Sequence, residues 1–420
     1  MASVRPFAAV RPIPERAGEM LSLPYDVMDR REAACMAADK PASFLHITRS
    51  EINLPDTVGP YDNEVYKRAR SNLDHFLENG WLIEDPRPCY YIYRQIMNGR
   101  RQTGLVGCVP IDSYLDGTIK QHELTRREKE ADRIRHFDAC DAHTEPVFLT
   151  FREVPGFTQT LEDWADRHEP VYRLTDPNKV DHILWVVDQE EMIERLTSLV
   201  ATVPALYIAD GHHRSASAAH IGEQRRQEQP AFSDAAEFNF FMAVLFPEQE
   251  LYLMAYNRVV SGLNGFSESE FLDALQSRFD IEKIEEKNGP AKPDRKHVFT
   301  MYLRDCWYRL TAKPDIIPDD LIAGLDVCIL QDQVLAPLLG ITDPRTDQRI
   351  DFIGGIRGLE ELERRVHDDM TVAFALYPVQ IPDLMTISDE NRIMPPKSTW
   401  FEPKLGSGLF IHRFTSDLSE

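Results

Sequence analysis

The chain has 420 residues, of which 43% are hydrophobic and 28% are charged, and its formal net charge is −22. This length predicts two or three domains and a sizeable core. The acidic surface repels a phosphate backbone, which argues against binding nucleic acid over a broad face, whereas a small anionic ligand needs only a local cluster of donors.

The cysteines and the hydropathy pattern narrow the class of protein further. The six cysteines are far apart and form no C-x-x-C pair, which indicates reduced thiols rather than a zinc framework or a disulfide scaffold. The first residues contain no apolar signal region, and no run approaches the roughly 20 apolar residues that span a bilayer. We therefore expect a cytoplasmic protein that binds neither membrane nor nucleic acid.

The first quarter of the chain combines an extended arm, a helix and a hairpin. Four prolines within residues 1–30 predict an extended, packed arm rather than a helix. Apolar residues at helical spacing predict a helix over 60–80. Residues 89–97 have the composition of a strand, and the turn signal Asn98-Gly99 predicts a return strand that ends near residue 110.

The middle of the chain alternates short apolar strands with helices. A charged helix over 124–139 has i,i+4 pairs that indicate a mostly solvated face. The elements expected next are strands at 146–151 and 183–188, a helix over 189–200, a buried strand at 205–209 and a helix over 215–220.

The last part of the chain has weaker signals. Residues 238–260 predict a strand hairpin, and helices and hairpins alternate from there to about residue 385. A loop over 394–401 precedes a final strand at 408–412, and the chain shows no internal repeat and no low-complexity tract.

The segment from Asp210 to Arg214 carries the most chemistry, because a buried strand runs there through a glycine into a helix. A helix N-terminus leaves backbone N–H groups without partners and carries about half a positive charge, and Gly211 lets a ligand approach the backbone closely. Arg214 can fork onto phosphate oxygens, while His212 and His213 can donate hydrogen bonds or assist proton transfer. Asp210 can hold Mg²⁺ or act as a base, although aspartate is also a common helix N-cap.

This segment resembles the phosphate-binding motif of the ParB/sulfiredoxin superfamily, in which a strand runs into G-x-x-R or G-C-H-R at a helix start and holds nucleotide phosphates. Its D-G-H-H-R form resembles that of the free serine kinases in that superfamily. The chain as a whole resembles more closely the bacterial and archaeal family of domain-of-unknown-function number one thousand and fifteen. Four stretches carry the resemblance: Arg5-Pro6-Phe7 with Pro24-Tyr25-Asp26-Val27, His122-Glu123-Leu124-Thr125 with Lys129-Glu130-Ala131-Asp132-Arg133, Asp210 to Arg214, and Pro395-Pro396-Lys397-Ser398-Thr399-Trp400-Phe401 with Ser407-Gly408-Leu409.

The fold expected from the element mix and from this resemblance is α+β. Its centre is a ParB/sulfiredoxin-like mixed-sheet core at about 106–250, which would bind nucleotide phosphates. An N-terminal arm and α+β region is expected over 1–105, and a further α+β region over 251–420.

Glu123 is the best match to the glutamate upstream of D-G-H-H-R that the resemblance to serine kinases gives as the catalytic base. Its separation from Asp210 in the sequence requires an insertion relative to the compact kinases. A glutamate can take the proton from a substrate hydroxyl as it attacks phosphorus; the alternative is a helix-start carboxylate that interacts with the dipole. His122 is a candidate substrate or phosphate ligand.

Three other stretches contain candidate ligands. Lys397, Ser398 and Thr399 offer a cation and two hydroxyls for a phosphate or a substrate carboxylate, in a proline-flanked loop that lacks the P-loop pattern. Arg126, Lys129 and Arg133 share a helix face that either supplies positive charge or is solvated and salt-bridged. Tyr25 and Asp26 either contact substrate or belong to a packed arm.

The resemblance implies a small-molecule kinase that transfers a phosphoryl group from ATP or ADP to a hydroxyl, with free L-serine as the leading acceptor. Gly211, His212, His213 and Arg214 would cradle the phosphates, Mg²⁺ would bridge them with Asp210 as its protein ligand, and Glu123, Asp210 and His213 would be the catalytic residues.

The alternative function is a non-catalytic regulator that uses nucleotide as a switch. A hydrolase with a metal on His212 and His213 is disfavoured, because adjacent histidines point to different faces of a regular element. Whether the protein forms a homo-oligomer is left open.

Overall fold

The first of two structural units is built on a large mixed sheet. The computed structural model describes residues 1–285 and 292–415, and the chain divides into one unit of Met1–Leu251 with Pro403–Glu420 and another of Tyr252–Glu402. The second unit is therefore inserted between the last sheet strand of the first unit and its closing segment. The domain borders expected at 105/106 and 250/251 stay predictions.

The elements of the first unit run as follows. Its helices are α1 Pro14–Met20, α2 Arg30–Ala37, α3 Leu45–Thr48, α4 Asn63–Glu78, α5 Ile111–Leu115, α6 Arg127–Cys140, α7 Phe157–Arg167, α8 Glu190–Val200 and α9 His212–Glu228. Its strands up to the insertion are β1 Val10–Pro12, β2 Leu82–Glu84, β3 Tyr90–Met97, β4 Arg100–Pro110, β5 Ile119–Lys120, β6 Ala142–His143, β7 Val147–Phe151, β8 Tyr172–Thr175, β9 Asp181–Val187, β10 Leu206–Asp210 and β11 Phe240–Pro247.

The second unit is also α+β. It contains strands β12 Tyr252–Met254, β13 Tyr256–Val260, β14 Phe279–Lys283, β15 Val298–Leu303, β16 Cys306–Ala312, β17 Ile350–Gly354, β18 Val372–Ala375 and β19 Trp400–Glu402, and helices α10 Glu268–Gln276, α11 Asp326–Leu330, α12 Glu360–Asp368 and α13 Ile381–Asp389. Strands β14-β16-β15-β18-β13-β17 form an antiparallel six-stranded sheet, and β12 pairs with β19.

The sheet of the first unit has the order β5-β10-β7-β11-β4-β3-β9-β8. Two neighbouring pairs, β5 with β10 and β7 with β11, are parallel, and the remaining pairs are antiparallel. The last strand, β20 His412–Arg413, pairs with β6. The expected fold class, α+β around a mixed sheet with further α+β segments, is confirmed. In the part of the chain that the structure describes, no helix is long and apolar enough to cross a membrane.

The patterns of apolar and turn residues in the sequence predicted most elements of the first unit. The expected helices over 60–80 and 189–200 are confirmed as α4 and α8, and the hairpin at Asn98-Gly99 joins β3 to β4. The expectation of an arm without a helix over 1–30 was wrong, because helix α1 begins at Pro14. Proline is favoured in the first turn of a helix, where the N–H that it lacks would have no intrahelical partner.

The hairpin expected over 238–260 was also wrong. Strand β11 pairs with β4 and β7 in the large sheet, whereas β13 pairs with β17 and β18 in the sheet of the second unit. The apolar runs were recognised correctly as strands, but a pattern of alternation does not say which strand is the partner. The boundary between the two units falls between these strands.

Buried His136 in α6 makes stability depend on pH. Its Nε2 bonds the carbonyl of Ile47 at 3.0 Å, and burial, aided by Arg133, lowers its pKa to about 4. The imidazole of the unfolded chain binds a proton as the pH falls through about 6.5, whereas the buried imidazole stays neutral down to about pH 4. The group therefore leaves the free energy of unfolding unchanged above about pH 6.5 and lowers it as the pH falls from about 6.5 toward 4. We expect a loss of about 2 kcal/mol at pH 5 from this group.

The test is urea unfolding of the wild type and of His136→Gln, which keeps a donor for Ile47. The variant is expected to lose less stability than the wild type between about pH 7.5 and pH 5, by about 2 kcal/mol. Equal losses in the two proteins would contradict the assignment.

Candidate functional site

Two parallel strands end side by side and bring two histidines together. Ile119 and Lys120 of β5 pair with Leu206 and Tyr207 of β10, and each strand is followed closely by a histidine, His122 and His212. The carboxyl ends of neighbouring parallel strands meet at one edge of a sheet, where ligands commonly bind. The two imidazole rings meet edge to face with 4.4 Å between their centroids.

Burial keeps both imidazoles neutral near pH 7. His122 and His212 are 1% and 7% exposed. Burial lowers the pKa of His122 to about 4, against a hydrogen bond to the backbone of Ile208 that favours its charged form. Burial also lowers the pKa of His212 well below its usual range. Glu123 is half-buried, and one of its carboxylate oxygens lies within 4.8 Å of a ring nitrogen of each histidine.

The strand-to-helix junction turns at a glycine in the left-handed region. Gly211 has φ +95° and ψ +33° and is the N-cap of the 17-residue helix α9. The register of β10 against β7 shifts between Ile208 and Asp210, and such bulges are frequent beside functional sites. The first N–H groups of α9 therefore lie just beyond the carboxyl end of β10, together with the positive end of the helix dipole.

Arg214 fills the space under this turn. Its side chain is 2% exposed, its Nη1 donates to the carbonyl of Pro146, and its Nη2 lies 3.4 Å from Asp210. A Cβ added to Gly211 would lie 3.1 Å from Arg214 Nε, so the guanidinium packs against the bare Cα. Its Nε is buried and has no hydrogen-bond partner among the described residues.

Two cations compensate the charge of Asp210. Its Oδ2 lies 3.4 Å from Arg214 and 3.7 Å from Lys404 Nζ. Burial alone would raise the pKa of Asp210, but Lys404 and Arg214 outweigh it and hold the pKa below its usual value. Lys404 comes from the segment that returns to the first unit after the insertion. Lys404 was not predicted as a site residue, because a lone lysine after a proline carries no local signal.

Glu145 is a buried carboxylate that interacts electrostatically with Arg214. Glu145, just before β7, is 2% exposed, and its Oε1 accepts hydrogen bonds from the backbone of Tyr25 at 3.1 Å and from Ser407 at 2.7 Å. Burial raises the pKa of Glu145, while Arg214 and Arg133 oppose that shift. Glu145 was not predicted as a site residue, because it belongs to no recognisable motif.

Arg133 adds a further buried charge to the layer formed by Arg214 and Glu145. The alternative that Arg133 lies on a solvated helix face was therefore wrong. It is 4% exposed, pairs with Asp132 at 2.8 Å and lies over the ring of Tyr25, 3.9 Å from the centroid. Tyr66 donates to Asp132 at 2.9 Å. Tyr25 is buried in this layer, as the packed-arm alternative has it, whereas Asp26 is exposed.

His213 links the starts of two helices. Its Nε2 accepts a hydrogen bond from the backbone N–H of Arg126, the N-cap of α6, at 2.9 Å. Burial lowers the pKa of His213, and the charge of Asp26 acts against that shift. Lys129 is half-buried, and its Nζ lies 5.7 Å from the ring centroid of Tyr61.

Lys397, Ser398 and Thr399 belong to the second unit. The backbone of Lys397 is left-handed at φ +61°, its carbonyl accepts from Arg258 at 2.9 Å, and its Nζ lies 5.4 Å from the ring centroid of Tyr256. Ser398 is buried and donates to the carbonyl of Pro395 at 2.6 Å. Their role as substrate or phosphate ligands stays a prediction.

A protein-family model matches most of the chain. The family model described as "Protein of unknown function (DUF1015)" matches residues 4–328. The chain belongs to this family. Three of the four stretches that carry the resemblance lie within the matched residues of this DUF1015 protein, and the fourth, which begins at Pro395, lies beyond them.

The DUF1015 chain has no significant match among curated proteins. Solved structures similar to it include a free serine kinase in complex with AMP, at 13% identity and a TM-score of 0.33, covering 72% of this chain and 91% of that one. They also include SbnI with a C-terminal truncation from Staphylococcus aureus, at 11% identity and 0.39, covering 74% and 90%. A conserved hypothetical protein from Pyrococcus furiosus matches at 12% and 0.33, covering 72% and 94%.

Proposed function

We propose that this protein is a small-molecule kinase that transfers a phosphoryl group from ATP or ADP to a hydroxyl, with free L-serine as the leading acceptor. The acceptor comes from the resemblance of the D-G-H-H-R segment to free serine kinases. The observation that carries the proposal is the left-handed turn at Gly211, which opens the N-terminus of α9 directly above buried Arg214.

This junction suits a phosphate for two independent reasons. The N–H groups of the first turn of α9 and the helix dipole favour an anion at the start of this helix. The guanidinium of Arg214 adds a fixed positive charge in a buried place, where an electrostatic interaction is stronger than in water. Both would stabilise the negative charge that develops on the transferred phosphoryl group.

The acceptor hydroxyl needs a carboxylate that is ionised. In the proposed step its oxygen attacks the terminal phosphorus, the bond from that phosphorus to the bridging oxygen breaks, the nucleotide leaves with one phosphate fewer, and the hydroxyl proton passes to a carboxylate. Asp210 is held in its ionised form by Lys404 and Arg214. Glu123, half-buried beside His122, is the other candidate, as the serine kinase resemblance implies.

Mg²⁺ would accompany the nucleotide and shield its phosphates. Asp210 is the protein ligand expected for Mg²⁺, but its carboxylate already lies within 4 Å of Arg214 and Lys404. A carboxylate that is paired with two cations is a poor ligand for a third. His122 and His213 are the remaining polar side chains assigned to the phosphates or the acceptor in this proposal. Transfer therefore depends on positioning by the protein's own cations and N–H groups.

The deciding experiment incubates the purified protein with ATP or ADP, L-serine and Mg²⁺ and measures O-phosphoserine. We expect turnover in the wild type and a loss of at least about 100-fold in Glu123→Gln, which removes a proton acceptor at constant shape. The control is Glu128→Gln, an exposed glutamate at the start of α6, which is expected to keep wild-type turnover.

A second outcome would redirect the proposal. Tight binding of nucleotide without any phosphorylated product, across a panel of small hydroxyl compounds, would overturn the kinase and favour the non-catalytic regulator. Full turnover in Glu123→Gln would remove Glu123 from the mechanism and leave the proton to Asp210.

A further inference from the structure

Three side chains with metal-binding atoms converge beside the strand-to-helix junction. One ligand atom from each of His122, Glu123 and His212 lies within 4.8 Å of the other two. We propose that these residues bind a divalent first-row transition-metal ion, for which Zn²⁺ is the probe. Two imidazoles with one carboxylate form a donor set that suits Zn²⁺ and its neighbours better than Mg²⁺, which prefers oxygen ligands.

The sheet itself holds these donors together. His122 and His212 follow the parallel strands β5 and β10, so the same hydrogen-bonded pairing that builds the sheet edge fixes their spacing. Glu123 is the neighbour of His122 in the chain. His212 is the first residue of α9, and His122 and Glu123 lie in the bend that closely follows β5, so all three donors are close to a regular element.

The two histidines have the surroundings of metal ligands. His212 is 7% exposed, and its Nε2 is buried without a hydrogen-bond partner among the described residues. An unsatisfied buried nitrogen costs free energy, which a bound cation would recover. His122 makes a hydrogen bond to the backbone of Ile208. Ligating histidines usually donate one ring N–H to a carbonyl or a carboxylate, which orients the other nitrogen toward the metal.

The geometry requires a small movement and leaves an open position. Ligand atoms around a tetrahedral Zn²⁺ are about 3.4 Å apart, so donors within 4.8 Å must close by roughly 1 to 1.5 Å. Glu123 is half-buried and can supply most of that movement. Three protein ligands leave a fourth position for water or a substrate oxygen, as in zinc sites with two histidines and a glutamate.

This assignment goes beyond the proposed phosphoryl transfer and does not require it. If Glu123 is a metal ligand, Asp210 is the carboxylate left for the acceptor hydroxyl. The competing explanation is that His122 and His212 only pack as an edge-to-face pair, whose ring centroids are 4.4 Å apart. That explanation gives Glu123 no part in binding any ion.

The test titrates Zn²⁺ into the untagged full-length protein, stripped of metal with a chelator, in competition with a coloured chelator and without nucleotide or serine. We expect one Zn²⁺ per chain. Glu123→Gln is expected to weaken the affinity at least tenfold, and His212→Ala by about 100-fold. Co²⁺ should bind the same site and give a visible absorption spectrum that Glu123→Gln changes.

The matched control is His220→Ala, which removes an exposed histidine from the same helix as His212. Its Zn²⁺ affinity is expected to stay within about twofold of the wild type. Glu123→Gln keeps the size of a half-buried side chain and therefore the fold, which circular dichroism checks. An absence of stoichiometric Zn²⁺ binding, or wild-type affinity in folded Glu123→Gln, would overturn the proposal. Because the assay contains no nucleotide, these outcomes are distinct from failure of the kinase.

Discussion

Gly211→Ala is expected to reduce phosphoserine formation at least about 100-fold and to destabilise the protein by about 1–3 kcal/mol. Two causes act together. The backbone at φ +95° lies in a region that residues with a Cβ rarely adopt. The added Cβ would also lie 3.1 to 3.3 Å from three atoms of the buried Arg214 guanidinium, which would have to shift by a few tenths of an ångström.

The matched control separates these causes. Gly80, after α4, also has a positive φ, +66°, but a Cβ there would meet nothing within 4 Å. Gly80→Ala is therefore expected to cost about 1 kcal/mol from the backbone alone and to leave turnover unchanged. Urea unfolding and the phosphoserine assay measure the two effects. If Gly211→Ala behaves like Gly80→Ala in both, crowding of Arg214 plays no part.

The strand-to-helix junction was predictable because its signals are local. An apolar run ending in Asp210-Gly211 predicts a buried strand and a sharp turn, and both lie where expected, as β10 and the N-cap of α9. The same holds for the hairpin at Asn98-Gly99. In each case, neighbouring residues determine the backbone conformation, and sequence spacing contains all the information needed.

The electrostatic surroundings of the junction were not predictable, because they depend on tertiary structure. Lys404 lies 3.7 Å from Asp210 only because the chain returns to the first unit after an insertion of about 150 residues. Glu145 lies beside Arg214 because β7 is antiparallel to β10, a pairing that no local pattern specifies. Arg133 has the sequence context of a solvated helix face, yet it is buried against Tyr25.

Arg214→Ala is expected to produce the largest loss of stability among these variants, about 3–5 kcal/mol, together with loss of turnover. Removing the guanidinium leaves the carbonyl of Pro146 without its donor and takes one of the two cations from Asp210. Glu145 would also lose a compensating charge while it remains buried. Leaving buried partners uncompensated costs far more than an exposed ion pair contributes.

Arg226→Ala on the same helix is the matched control. Arg226 also pairs with a carboxylate, Asp112 at 2.7 Å, but both side chains are partly exposed. Its removal is expected to cost about 1–2 kcal/mol, because solvent screens the pair with Asp112 and one hydrogen bond, from Nε to Asn239 Oδ1, is lost as well. Arg214→Lys separates charge from shape: lysine keeps the charge near Asp210 but cannot reach it and Pro146 at once. Turnover in Arg214→Lys close to the wild type would mean that charge alone suffices, whereas a loss like that of Arg214→Ala would assign the function to the fork of the guanidinium.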